Sequence, residues 1–183
     1  MFQKMNKINV IGTTGSGKTT FSSALAQQLQ IEYIEIDKVY WKPNWREPEE
    51  QEFLDKLSNS IIGAEWVLDG NYSRARKLIW ESADTVIWLD YGYFRTLWQL
   101  VKRSITRSYI KQELWAGTGN SESFSRLFSK NSIILWFFRR YHLNRRRLPE
   151  LISREEFGHI KFIKLTSPQK AKEYLVSVNS KDV

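Results

Sequence analysis

Lys7-Ile8-Asn9-Val10-Ile11-Gly12-Thr13-Thr14-Gly15-Ser16-Gly17-Lys18-Thr19-Thr20-Phe21 is the stretch that decides the fold. Its first six residues form a short apolar run of strand type. From Lys18 a helix begins, with Phe21, Leu25 and Leu29 recurring every four residues. Between strand and helix, Gly12 to Thr19 match G-x-x-x-x-G-K-[ST] in full, in the context where such a loop turns its amides around a phosphate. Glycine at 12, 15 and 17 permits positive φ and close backbone approach, and the helix N-terminus adds its dipole. Gly12, Thr14, Gly15, Ser16, Gly17, Lys18, Thr19 and Thr20 are therefore expected to bind ATP. Lys18 is placed to reach the β- and γ-phosphates, and the Thr19 hydroxyl to meet Mg²⁺. With glycine near 7% of residues, chance supplies the four fixed positions in about 1% of chains this long.

Outward from this unit, strand-like runs alternate with helix-length amphipathic stretches, so the fold class is α/β with βαβ units around a parallel sheet. Further strands are expected over Ile31–Ile36, Trp66–Asp69, Thr85–Asp90 and Ile160–Leu165. Pro48 opens a helix with Glu49, Glu50 and Glu52 at its positive end and Phe53, Leu54, Leu57 and Ile61 inward, and Gly63 closes it. A short helix covers Arg74–Ser82. A long one starts near Tyr93, with Phe94, Leu97, Trp98, Val101 and Ile105 on one inward stripe. Periodicity fades between Lys111 and Lys130, where Gly117-Thr118-Gly119-Asn120-Ser121 marks a segment of lid type. Helix resumes over Ser132–Leu148, ended by Pro149, and Ser167-Pro168 start a last helix. Trp66, Trp88, Trp98 and Trp136 fall on apolar stripes and read as core. One domain is expected over residues 1–183, with a lid at about 108–131 between two basic helices.

At 183 residues, 42% hydrophobic and 26% charged, the chain has globular composition, which excludes a disordered or fibrous protein. The absence of Cys removes disulfides, zinc thiolates and thiol catalysis. Without an export signal, and with no apolar run longer than Ile133–Phe138, a soluble cytoplasmic protein with no membrane partner is expected. The net charge of +8 favours an anionic ligand. Twelve basic residues lie between Arg95 and Pro149 against only Glu113 and Glu122, so this segment carries +10 and the remainder −2. The positive field belongs to the lid and its flanking helices. Arg145, Arg146 and Arg147 at a helix end read as solvated charge.

Asp37, Asp69 and Asp90 each follow a strand, at the carboxyl edge where α/β sheets bind ligands. Asp69, after Trp66-Val67-Leu68, suits Mg²⁺ directly or through water. Asp37 is placed to take a proton from a substrate hydroxyl. Asp90 reads as a turn or cap residue. Trp41 and Trp45, flanking Pro43, offer rings to an acceptor.

Phosphate loop, Asp37, the Asp69-Gly70 turn, Ala83 to Asp90 and a basic lid together resemble the P-loop NTPases of the nucleoside-monophosphate kinase and shikimate kinase group, adenylate-kinase-like proteins in particular. More narrowly, Ile36 to Trp45 with Leu68-Asp69-Gly70-Asn71-Tyr72-Ser73 resembles the bacterial group named DNA topology modulation protein, FlaR-like. The resemblance implies a three-layer αβα sandwich with a five-stranded parallel sheet, an ATP-Mg²⁺ donor site, an acceptor site beyond Asp37 and an arginine-bearing helical lid. The adenylate kinase turn Asp-Gly-Phe-Pro-Arg appears here as Asp69-Gly70-Asn71-Tyr72-Ser73 with Arg74 one place later, so AMP is not assured as acceptor. Arg103 and Arg107, four apart on one helix face, and Arg139 or Arg140 across the lid are chosen to close on the transferring group.

The expected function is transfer of the γ-phosphoryl of ATP to a small acceptor, with nucleotides and nucleosides among the candidates. Lys18 and the loop amides hold the donor, Thr19 and Asp69 hold Mg²⁺, and Asp37 orients or deprotonates the acceptor. Arg103, Arg107 and Arg139 stabilise the moving charge, and Trp41, Trp45, Asn71, Arg74 and Arg140 join Asp37 in binding the acceptor. The rival expectation is an ATP-binding regulator whose basic helices grip duplex DNA. It ranks second because the same charge serves a lid and no DNA-docking motif appears.

Overall fold

Five parallel strands, β1 (Lys7–Gly12), β2 (Glu32–Glu35), β3 (Trp66–Asp69), β4 (Thr85–Leu89) and β5 (Lys161–Leu165), form one sheet in the order β2-β3-β1-β4-β5. The computed structural model describes residues 5–179 apart from 112, 128, 130 and 131, so Lys130 of the basic segment lies outside the described residues. The three central strands are buried on both faces, as continuous apolar runs in parallel sheets must be, while edge strands β2 and β5 are only partly buried.

Helix α1 (Lys18–Leu29) and α8 (Pro168–Asn179) cover one face, packing Phe21, Leu25, Ala171 and Val178 on Ile8, Val10, Val67 and Ile87. On the other face α3 (Glu50–Ser60) and α4 (Arg76–Ser82) seat Phe53, Leu57, Ile79 and Trp80 against Ile11, Trp66, Leu68 and Val86. Each such side chain contributes about 1.5–3 kcal/mol by leaving water. Asn9 lies within this core with every polar group used. It accepts from the Trp80 indole N–H at 3.1 Å and donates to the Leu68 and Gly70 carbonyls, both at 3.2 Å, which ties β1 to the end of β3. At the start of α8, the Ser167 hydroxyl accepts from the Lys170 amide at 3.2 Å, the expected cap.

A third cluster joins α5 (Tyr93–Ile110) to α7 (Ile133–Ile152) through Leu100, Phe137 and Tyr141, with the short α6 (Phe124–Leu127) between them. Here one expectation holds only in part. Leu97 of the expected stripe packs on this cluster, but the buried face of α5 is Thr96, Leu100, Ser104 and Ser108, whereas Phe94 is 83% and Trp98 67% exposed, and Ile105 is exposed as well. Besides α7, α5 packs on the backbone of the phosphate loop, which Thr96 and Leu100 approach closely. A Cβ on Gly15 would sit 2.8 Å from both Leu100 Cβ and the Thr96 carbonyl oxygen. Trp136 is also exposed, while Trp66 and Trp88 are buried as expected.

Other boundaries shift for local reasons. The second strand stops at Glu35, and Ile36–Tyr40 forms a short helix, α2, because Ile36 folds over Gly70. The Ile36 Cγ2 occupies the space of a Gly70 Cβ, 1.9 Å from its ideal position. Helix α3 starts at Glu50 instead of Pro48 and ends before Gly63, α4 starts at Arg76 instead of Arg74, and β4 and β5 are each one residue shorter than expected. Pro149 lies inside α7 and does not end it. Its fixed φ is helical, so the last turn continues with one backbone bond missing. Among the described residues, no helix is long and apolar enough to cross a membrane.

Candidate active site

The loop between β1 and α1 closes on itself through the Ser16 amide, which donates to the Thr13 carbonyl at 3.1 Å. Gly15 and Gly17 take φ of 83° and 82°, the left-handed conformation the motif predicts, whereas Gly12 does not. Lys18 extends its ammonium across the mouth to the Thr13 carbonyl at 3.4 Å. Among the described residues the buried Ser16 hydroxyl has no hydrogen-bond partner, and neither has the buried Oδ1 of Asp69. Such groups are costly to leave unpaired, and both lie where phosphate and cation chemistry would satisfy them.

Asp69 closes β3 opposite Val10 of β1 and Glu35 of β2. Its Oδ2 accepts from the Thr19 hydroxyl at 2.7 Å and from the Tyr33 hydroxyl at 3.5 Å. Burial raises the Asp69 carboxyl above the ordinary range, with Lys18 opposing, and burial lowers the Lys18 ammonium, opposed by Asp69 and Asp37. Both groups therefore oppose folding when charged. A raised Asp contributes stability that is present below its unfolded pKa and lost as pH rises through its folded one; a depressed Lys contributes stability that is lost as pH falls through its folded pKa. The double variant Lys18→Met/Asp69→Asn is thus expected to be more stable than the parent near neutral pH, by about 1–3 kcal/mol. The gain should shrink as pH falls through the carboxylate range. Urea titrations at pH 4 and 7.5 check it, and a variant less stable at both pH values would refute it.

Asp37 sits in the first turn of α2, where its Oδ1 accepts from the Tyr72 hydroxyl at 2.6 Å. Burial and the neighbouring Asp37 together raise the Tyr72 phenol far above its usual range, so Tyr72 is a fixed donor. Glu35, two residues earlier at the end of β2, accepts from the Trp115 indole N–H at 3.2 Å, and burial raises its carboxyl. Trp115 belongs to the segment expected to be a lid, whose described residues dock on the 41–46 loop. Asn120, buried, accepts from the Trp45 amide and donates to the Lys42 carbonyl, both at 2.9 Å. The Arg126 guanidinium lies 3.9 Å from the Trp45 ring centre, and Trp45 meets Trp41 and Trp115 edge to face. Asn120→Ala breaks both bonds to the 41–46 loop, each worth about 1–3 kcal/mol when buried. Hydrogen exchange over residues 113–127 should accelerate at least about tenfold while β1 and β3 are unchanged. Unaltered exchange there would show that Asn120 does not hold the lid.

Arg103 and Arg107 both lie on the inner side of α5. Arg103 donates to the Thr14 hydroxyl at 3.4 Å with its Nε buried and unpartnered, and burial followed by Arg107 lowers its guanidinium. Arg107 pairs with the buried Glu122 at 3.3 Å. Arg139 and Arg140 are exposed on α7, with no polar contact to the site among the described residues. The arginine of α7 that reaches the loop region is Arg145, expected to be solvated. It binds Asp90 at 3.0 Å, Lys164 binds the same buried carboxylate at 2.9 Å, and Gly12, Thr13, Asn71, Asp90 and Arg145 line one small recess. Asp90 is therefore an ion-pair centre and not a turn residue. Asn71 accepts from Arg76 at 3.2 Å, and Arg74 is exposed. Sequence reasoning missed Tyr33, Glu35, Tyr72, Trp115, Asn120 and Glu122, whose partners lie 15 to 80 residues away along the chain.

No protein-family model matches the sequence, and no curated protein sequence matches it. Solved structures do. A gluconokinase from Sinorhizobium meliloti superposes with a TM-score of 0.52 at 14% identity, covering 98% of this chain and 97% of that one. A shikimate kinase from Acinetobacter baumannii, in complex with shikimate, gives 0.54 at 15% identity, covering 99% and 94%. A shikimate kinase from Aquifex aeolicus gives 0.52 at 14%, covering 96% and 97%. The chain has the P-loop kinase-like fold over essentially its whole length.

Proposed function

We propose that this protein is an ATP-dependent phosphotransferase acting on a small hydroxyl acceptor. The observation that carries the reading is the convergence of Lys18, Arg103, the Thr19–Asp69 pair and Asp37 on the mouth of one phosphate loop. The likeness of fold to sugar-acid and shikimate kinases supports it.

The loop amides and Lys18 bind the donor phosphates, with Thr14, Ser16 and Thr20 beside them. Thr19 and Asp69 are the oxygen ligands suited to Mg²⁺, which when bound neutralises phosphate charge. Tyr33 and Thr19 orient the Asp69 carboxylate. Asp37, fixed by Tyr72, takes the proton of the acceptor hydroxyl as that oxygen bonds to the γ-phosphorus and the bond to the ADP oxygen breaks. Arg103 stabilises charge on the transferring group, and Arg107, held by Glu122, adds positive charge from the next turn. The 108–131 segment acts as the lid of a single 1–183 unit, excluding water so that ATP is not hydrolysed. Within this fold we place the chain with the FlaR-like topology modulation proteins, on Ile36 to Trp45 and Leu68 to Ser73, and in the cytoplasm.

The test is ADP release from ATP-Mg²⁺ across a panel of hydroxyl compounds. An acceptor-dependent rate supports the reading, and ATP hydrolysis alone overturns it. A duplex-binding role for the exposed Arg139, Arg140, Arg146 and Arg147 is the rival. It requires affinity at low salt that falls by about 0.9 log units per log unit of salt for each phosphate neutralised.

A further inference from the structure

Resting on the phosphotransfer reading above, we infer that the acceptor is a hydroxyl compound bearing no anionic group: a free sugar, polyol, aminosugar or nucleoside, and not a sugar acid or a nucleoside monophosphate. The inference follows from which charges on the acceptor side of the loop are already matched.

Glu35 ends β2 and Asp37 opens α2, and neither carboxylate is in a salt bridge among the described residues: their hydrogen-bond donors are the neutral Trp115 indole and Tyr72 phenol, and the cations whose charge reaches them are Arg107 for Glu35 and, from the donor side, Lys18 and Arg103 for Asp37. Glu122 enters from the lid, buried, with one oxygen on Arg107 and the other unpartnered. Several cations nearby are engaged elsewhere. Arg107 is held by Glu122, and Arg103 points to Thr14 on the donor side. Arg126 lies on the Trp45 ring with the opposite charge of Glu122 near it, and Arg74 is exposed, its charge felt at the Tyr40 hydroxyl that donates to Glu47. Lys42 is bound by Glu52, and Lys38 is exposed.

An anionic acceptor would bring its charge to Glu35, Asp37 and Glu122 without a guanidinium fork to receive it, the arrangement that rejects like charge. A hydroxyl or ammonium group supplies the donors these oxygens lack. The walls fit the same class. Trp41, Trp45 and Trp115 present ring faces and edges, which pack on the apolar face of a sugar or base and attract an ammonium group. Glu35 and Trp41 also border a cleft of about 600 Å³ whose lining includes Lys38, Lys42 and Lys56, the last two paired with Glu52, which gives room for a compound larger than its reacting hydroxyl.

The test pairs compounds that differ only in charge: a hexose with its aldonic acid, a nucleoside with its 5′-monophosphate, and an aminosugar beside the hexose. ADP release is measured with the full-length protein and ATP-Mg²⁺. At least one uncharged or ammonium-bearing member should exceed its anionic counterpart about tenfold or more in kcat/KM. A best acceptor that is anionic overturns this inference and leaves the phosphotransfer reading standing. ADP release that no member of either set raises above ATP alone overturns both. Glu35→Lys should move the preference ratio about tenfold toward the anionic member. Glu35→Gln, which keeps an acceptor for the Trp115 N–H, should move it the same way by about threefold and guards against a folding failure. A ratio unchanged in both variants overturns the inference.

Discussion

Lys18→Ala should leave the sheet intact and reduce ATP-dependent ADP release by on the order of 10³-fold or more. Such a factor corresponds to about 4 kcal/mol of lost transition-state stabilisation. The lysine is the loop's only side-chain cation, and its ammonium is enclosed by the loop mouth, where a low dielectric strengthens its attraction for phosphate. Its present partners are weak: one carbonyl at 3.4 Å, and the charges of Asp69 and Asp37. Removing it relieves the folded protein of one desolvated charge but leaves the buried Asp69 carboxylate without its opposing cation, while depriving the donor of its main counter-charge. The diagnostic result is a folded protein with lost ATP binding, read by calorimetry and a coupled assay. Turnover near the parent level would remove the donor site from the loop.

Arg103→Ala should lower kcat by about 10³-fold, the lower end of what an arginine contributes to phosphoryl transfer, with a much smaller change in KM for ATP. The asymmetry follows from position. Arg103 touches the loop only through Thr14 and keeps a buried Nε–H in reserve, so its full set of bonds awaits charge that appears as the phosphoryl group moves. Arg103→Lys should recover little, because an ammonium cannot reproduce the planar fork. Arg139→Ala, on the exposed face of α7, should stay within about twofold of the parent. Equal losses at 103 and 139 would contradict the geometry.

The donor half of the site is written locally in the sequence. Eight consecutive residues fix the phosphate loop, and the runs Trp66–Asp69 and Thr85–Leu89 declare strands by composition alone. The α5 stripe misleads for a definite reason. The rule that an apolar face turns inward assumes an apolar partner, whereas Thr96, Leu100 and Ser104 face a loop backbone that leaves no room for Phe94 or Trp98. Asp37 is found at the expected edge but inside a helix, since nothing local announces that Ile36 must cover Gly70. Lid contacts such as Trp115 to Glu35 and Asn120 to Trp45 join residues 80 and 75 apart, and pairings at that separation leave no spacing to read. Arg139 and Arg145 differ by less than two helical turns, yet only the one facing Asp90 reaches the loop.

The seam between α5 and Gly15 gives the helix a fulcrum. Thr96 and Leu100 are pinned beneath the loop, while one and two turns further along the same rod carries Arg103 and Arg107, and beyond them the lid. On the proposed function, a rigid lever held at that end would not raise the lid without swinging both guanidinium groups away from the loop. Admission of the acceptor and assembly of the cationic cradle would then be a single mechanical stroke.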